Sequence, residues 1–208
     1  WLAAAGLMAL APARADVAIT DDRGVSVAFA ASPRRVVSLL PSLTETVCAL
    51  GRCERLVGVD RYSNWPAQVS RLPQMGGGID PQIEAVVGAR PDVVLAAQST
   101  RGLARLEALG LKVLAIEPKT HAQARQAFER LGRLLEVPEA DRLWARIDAG
   151  VDQAARSLPT AARGQRVYFE VNRGPYAAGP GSFLGETLGR LGLGNIVPAG
   201  LGPFPLLN

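Results

Sequence analysis

The chain has 208 residues, 48% of them hydrophobic, 20% charged and 5% aromatic, with a formal net charge of +4. This is an ordinary globular composition with enough apolar material for a substantial core. The positive charge is almost wholly arginine, lysine occurring only at Lys112 and Lys119, and no basic run with interleaved aromatics exists, which argues against nucleic-acid binding.

The first segment, Trp1–Ala15 (WLAAAGLMALAPARA), carries an apolar run too short for a bilayer span and ends in Ala13-Arg14-Ala15, an A-x-A-like cleavage site. It reads as a secretory signal peptide without its initiator Met and basic region. Pro12 weighs against a buried helix. Cleavage before Asp16 implies a periplasmic protein, and no cysteine follows the site to take a lipid anchor. Next, Val17–Thr20 and Val25–Phe29 flank Asp21-Asp22-Arg23-Gly24, a hairpin signature.

Val36–Leu40 reads as a buried parallel strand, followed by a helix and then a strand at Leu56–Val59. Ser42 and Glu45 form an S-x-x-E capping box, and Gly51 is the helix stop. Asp80-Pro81 is the signature of an N-cap followed by proline at the first helical position, opening a helix through Gly88. Asp92–Ala96 is a strand, Arg101–Gly110 a helix and Lys112–Ile116 a strand. This alternation predicts a parallel, doubly wound α/β sheet, with the turn after the first strand where such sheets bind ligands.

Thr120 and Gln123 predict a second capping box and a helix to Glu136. A further helix starts at Pro138 and reaches Ser157, with Trp144, Ile147 and Val151 on one apolar face. Arg166–Val171 (RVYFEV) reads as one strand and Gly185–Leu191 as a helix. Cys48 and Cys53 leave two readings open, a disulfide stapling the helix end to the next strand or two buried free thiols. Their spacing does not fit a CxxC redox or zinc site.

Several short motifs in order carry a resemblance. Pro33-Arg34-Arg35-Val36-Val37-Ser38-Leu39, Pro41-Ser42 and Thr44-Glu45 lead into Leu50-Gly51, Val57-Gly58-Val59-Asp60, Tyr62-Ser63 and Trp65-Pro66. Gly76-Gly77, Ile83-Glu84 and Pro91-Asp92-Val93-Val94-Leu95 follow, then Gly179-Pro180-Gly181-Ser182-Phe183 and Gly194-Asn195-Ile196. Together they resemble the iron-siderophore and vitamin B12 class of periplasmic binding proteins, the soluble receptors of ABC importers.

The resemblance implies two doubly wound α/β lobes joined by a long rigid helix. It places the signal peptide at residues 1–15, an N-terminal lobe at 16–120, a helical link at 121–158 and the start of a second lobe at 159–208. Family members continue for several more strands and helices, so the second lobe is expected to be incomplete here. A single-chain receptor of this kind is expected to be a monomer with no cofactor and no catalytic residues.

The residues that could carry chemistry agree with a binding role. His121 is the one histidine, directly after a predicted N-cap; with no second histidine or nucleophile beside it, a catalytic triad has no parts, and it reads as a surface helix-start residue. Asp21-Asp22 suits turn chemistry. Gly76-Gly77-Gly78 lacks the context of a phosphate loop and fits close approach of backbone to a bulky ligand or a partner helix. One histidine cannot build a shell for a bare cation, so no metal site is expected and the cargo should be a preassembled metal chelate or an organic molecule.

Tyr62 and Trp65, after the second strand of the βαβ unit, could pack on a flat macrocycle. The resemblance matches Tyr62 to a tyrosine that contacts cobalamin in the vitamin B12 receptor. Tryptophans of that receptor's site correspond here to about Gly78 and Ala97-Gln98. Haem-binding relatives place a tyrosine near Gly77, and the segment here, Met75 to Ile79, has none. The expected ligand-facing set is thus Tyr62, Trp65, Gly77, Gly78 and Gln98, with Tyr176 and Phe183 closing from the second lobe. Glu84 matches a family glutamate that pairs with arginines of the membrane permease; its bland reading is a carboxylate favoured by the helix dipole. The reading is capture of a corrinoid or ferric siderophore for delivery to a permease. Its rivals are a secreted two-lobe α/β enzyme, a hydrolase or transferase, and a ligand-sensing receptor.

Overall fold

The computed structural model describes residues 17–172 and 174–207; the signal-peptide expectation for Trp1–Ala15 lies outside the described residues. Strands β1 (Val17–Thr20) and β2 (Ser26–Phe29) form the expected antiparallel hairpin. The Asp21 carboxylate closes its turn, accepting from the Arg23 and Val25 amides at 2.9 and 3.1 Å. It also accepts from the Ala115 amide at 3.1 Å, which fastens the hairpin to the main sheet.

That sheet is built from β3 (Val36–Ser38), β4 (Leu56–Val59), β5 (Val93–Ala96) and β6 (Val113–Ala115). The order is β4-β3-β5-β6 and all pairs are parallel. Helices α1 (Pro41–Ala49), α2 (Ile83–Gly88) and α3 (Leu103–Ala108) occupy the successive crossovers. Side chains alternate across the sheet. Val36, Val93, Leu95 and Leu114 meet Leu43 and Val47 of α1 on one face. Val37, Val94, Ala96 and Val113 meet Val86 of α2 and Leu106 of α3 on the other. Two covered faces explain why the strands read as continuous apolar runs.

Three helix starts or strands differ from the sequence expectation. In α1, Leu40 is the N-cap and Pro41 is at the helix start, so Ser42 is already inside the helix and no side chain caps it. Proline's fixed φ and missing amide suit the first helical position, and it displaces the S-x-x-E signature by two residues. Asp80 is not a cap either: α2 begins at Ile83 behind Gln82. The Asp80 carbonyl takes the Gly77 amide at 3.3 Å, and an antiparallel bridge pairs Gly76 with Pro81, which holds this stretch outside the helix. RVYFEV is not one strand. It breaks into β7 (Arg166–Val167) and β8 (Glu170–Asn172), because β7 pairs in parallel with β10 (Gly194–Asn195) while β8 pairs antiparallel with β9 (Tyr176–Ala177).

Helix α4 (His121–Leu134) starts as expected: the Thr120 hydroxyl accepts from the Gln123 amide at 3.2 Å. The Gln123 side chain reaches back to the Lys119 amide at 2.8 Å, one residue beyond the reciprocal box. Its apolar face, with Phe128, Leu131 and Leu134, completes the α1 side of the core. Helix α5 (Ala140–Ser157) packs between α4 and α6 (Phe183–Arg190). At 18 residues it spans about 27 Å. Trp144 packs against Phe128 with ring centroids 6.0 Å apart, but Ile147 is 45% exposed, so the expected three-residue face is not wholly buried. Cys48 and Cys53 are joined as a disulfide, their Cα atoms 4.1 Å apart. Gly51, with φ of +70°, lies between them as the left-handed helix stop.

Candidate functional site

The strand order reverses direction at β3, which has β4 on one side and β5 on the other. In such sheets the crevice beyond the carboxyl ends of the strands, at this reversal, is where ligands bind. Four segments meet there: Leu39–Pro41 after β3, Asp60–Pro66 after β4, Met75–Asp80, and Ala97–Arg101 after β5.

The loop after β4 carries Tyr62 and Trp65, which are 66% and 65% exposed. Among the described residues these are the most exposed large hydrophobic side chains, and they stand together on one loop, the kind of grouping that marks a binding surface. The loop itself is not loose. Asp60, 1% exposed, accepts the Ser63 amide at 2.8 Å, and the Asp60 amide donates to the Ser38 carbonyl at 2.9 Å. A buried hydroxyl chain then runs from Ser63 through Thr44 to Ser38, each step 2.9 Å, and ends on the Leu40 carbonyl at 3.2 Å. The second carboxylate oxygen of Asp60 has no hydrogen-bond partner among the described residues. Each of these residues stands in one of the family motifs, but their bonding to one another gave no signal: two serines, a threonine and an aspartate spread over 26 positions have no periodicity.

Gly77 and Gly78 pack against this floor. A Cβ on Gly78 would stand 2.7 Å from the Leu39 carbonyl oxygen, and one on Gly77 would collide with the Asp80 carboxylate. At Gly78 the obstacle is backbone, so only glycine allows that approach, whereas at Gly77 the exposed Asp80 side chain can turn aside. Thr100 fixes the segment from the other side, its hydroxyl donating to the Gly78 carbonyl at 2.6 Å. Gln98 is exposed on the same rim. Tyr62, Trp65, Gly77, Gly78 and Gln98 are therefore all placed at the carboxyl edge of the sheet.

The second part of the chain contacts the start of α4, which follows the last strand of this sheet. The Phe183 ring stacks on His121, with centroids 4.2 Å apart and planes 3° from parallel. His121 opens α4 as expected from sequence, but it is half-buried and bonded instead of standing on the open surface. Its backbone amide donates to Glu186 at 2.7 Å, Nε2 lies 2.8 Å from the Thr187 hydroxyl, and Nδ1 lies 3.3 Å from Arg190. Arg190 is held in turn by Asp148 and Asp152 of α5 at 2.5 and 2.6 Å. The Asp152 and Asp148 hydrogen bonds raise its pKa above the ordinary arginine value. These partners lie 38 to 69 residues apart in sequence, beyond the reach of local pattern. Tyr176 is 40% exposed on β9, whose bridge to Leu206 ties it to the tail.

Glu84 lies in the first turn of α2, two residues after Gln82, whose amide donates to the Met75 carbonyl at 2.8 Å. It is highly exposed and 3.8 Å from Arg105, a contact too open to restrain it. Among the described residues no group of three or more His, Cys, Asp or Glu could hold a metal ion, and no helix is long and apolar enough to cross a membrane.

A parallel sheet with an aromatic rim at its reversal point, and helices leading on to a second α/β unit, defines a helical-backbone binding-protein architecture. The chain belongs to the periplasmic binding protein family, whose model matches residues 36–205. It is 31% identical over 183 residues to a cobalamin-binding protein of Halobacterium salinarum, covering 85% of this chain and 49% of that one. Among solved structures, the periplasmic vitamin B12-binding protein of Vibrio cholerae aligns with a TM-score of 0.68 and 25% identity, covering 85% of this chain and 71% of that one. A periplasmic haem-binding protein of Pseudomonas aeruginosa aligns with a TM-score of 0.71 and 26% identity, covering 85% and 66%. The chain spans about half the length of the curated relatives it matches.

Proposed function

We propose that the protein is the substrate-binding component of an ABC importer, capturing a preassembled metal chelate in the periplasm and delivering it to a membrane permease. Residues 16–120 and 159–208 then contribute to two lobes, with 121–158 as the helical link. The cargo is a corrinoid, a related flat chelate such as haem, or a ferric siderophore. No bond is made or broken. The observation that carries this reading is the pair of open aromatics, Tyr62 and Trp65, on a loop anchored to the sheet at the reversal point. A flat ring system laid on two held aromatics gains contact area at small entropic cost. Relatives named for cobalamin, vitamin B12 and haem support the class of cargo.

Glu84 is the docking residue for the permease, and its exposure on α2 suits a charge meant for an arginine on a partner. The test separates the two roles. Tryptophan fluorescence titration with cyanocobalamin, haemin and a ferric siderophore should show saturable quenching by at least one. The Tyr62→Ala/Trp65→Ala pair should weaken that binding by about tenfold or more, roughly 1.4 kcal/mol. Glu84→Ala should leave it unchanged and reduce uptake through the permease reconstituted in proteoliposomes. Equal effects of both changes on binding would refute the division.

A further inference from the structure

We infer that His121 is a positioning residue for the cargo: it holds one face of the Phe183 ring so that the other stands as a fixed wall of the binding crevice. This rests on the chelate-receptor reading above. Phe183 opens α6 directly behind Ser182, a fully buried N-cap whose hydroxyl accepts from the Gly185 amide at 3.0 Å. Its backbone is therefore set. The ring is 39% exposed although His121 covers one face at 4.2 Å, so the exposed area belongs to the rest of the ring. His121 follows β6, the outer strand, by a five-residue loop, 116–120, and Glu117 in that loop accepts the Ser99 amide at 3.2 Å, which joins it to the rim segment after β5.

Two hydrogen bonds and the stack on Phe183 hold the imidazole. The Thr187 hydroxyl donates to the Phe183 carbonyl at 2.7 Å, so its oxygen is left to accept from His121 Nε2–H. The Nδ1 lone pair then faces the Arg190 guanidinium, itself clamped by Asp148 and Asp152. This assigns the neutral tautomer protonated on Nε2, by network and not by observation of the proton. A ring so restrained is a rigid backing plate. It leaves Phe183 little rotational freedom to lose when a flat guest settles on it.

The experiment titrates cyanocobalamin and haemin into the purified protein and follows thermal unfolding in parallel, for wild type, His121→Ala, His121→Phe, Phe183→Ala and the His121→Ala/Phe183→Ala double variant. His121→Ala and Phe183→Ala should each weaken binding by about tenfold, as truncation of a buried aromatic contact does. The double variant should be no weaker than Phe183→Ala alone, since the two act as one unit. His121→Phe keeps a flat ring and loses the polar bonds, so it should melt earlier yet bind within about threefold of wild type. Wild-type affinity in Phe183→Ala, or affinity that falls in step with melting temperature in both His121 variants, overturns the inference alone. If His121→Ala does not fold, Phe183→Ala and His121→Phe still decide it. A wild-type protein that binds neither probe nor a ferric siderophore overturns the receptor reading, and this inference with it.

Discussion

Residues 36–116 and 166–207 treat their apolar side chains in opposite ways. In the first stretch β3, β5 and β6 are buried throughout, and both faces of the sheet are covered by helices. In the second, strands are two or three residues long, and Tyr168, Phe169, Val171, Tyr176, Phe204 and Leu206 stand between 38% and 53% exposed. The first stretch is held by its own core. The second is held mainly by α6 leaning on α5 and on His121. Stability should therefore reside in the first stretch, and the second should follow it.

The sharpest challenge to that contrast is a pair of truncations. Leu43→Ala removes a fully buried α1 side chain and should cost about 2–5 kcal/mol in urea unfolding, whereas Phe204→Ala, at 45% exposure, should cost under about 1 kcal/mol. Comparable losses would mean that the exposed stretch is as well packed as the core. Next in size, reduction of the Cys48–Cys53 link should lower stability by about 2 kcal/mol in the chain-entropy account. Denaturant melts with and without reductant measure it, and no change would show that the bridge adds nothing to the α1–β4 connection.

The smallest effect concerns Asp21. Burial alone would push its carboxyl up, but hydrogen bonds from Ala115, the Arg23 side chain and the Val25 and Arg23 amides outweigh it and hold the pKa below the ordinary 3.8. A carboxyl that binds its proton more weakly when folded stabilises the fold above that ordinary value and loses the contribution as pH falls below it. Asp21→Asn should thus lower stability at pH 7 and flatten its loss between about pH 4 and pH 2. Identical acid profiles for variant and wild type would show that the hairpin is not fastened through this group.

Much of the fold was legible because its signals are local. Val36–Ser38, Val93–Ala96 and Val113–Ala115 are apolar runs whose burial on two faces leaves no other reading, and Gly51 and Gly110 stop helices in left-handed conformations. Two helix starts were misread where two local signals competed. Pro41 outranked Ser42, and the Gly76–Pro81 bridge withheld Asp80. The break in RVYFEV depends on partners at 176–177 and 194–195, which no pattern within the segment encodes. The aromatic rim was visible in Tyr62 and Trp65, and the family motifs pointed to it. The bonds joining Asp60, Ser63, Thr44 and Ser38 were not, although all four stand in family motifs, nor was the His121 cluster, because both networks connect separate segments of the chain.

That buried chain has a mechanical consequence. With Ser63 and Asp60 bolted to Ser38 and Thr44, the shelf bearing Tyr62 and Trp65 cannot swing independently of the four parallel strands beneath it. In the receptor proposed above, this shelf is the stationary side of the grip, and any travel on capture falls to the rest of the chain.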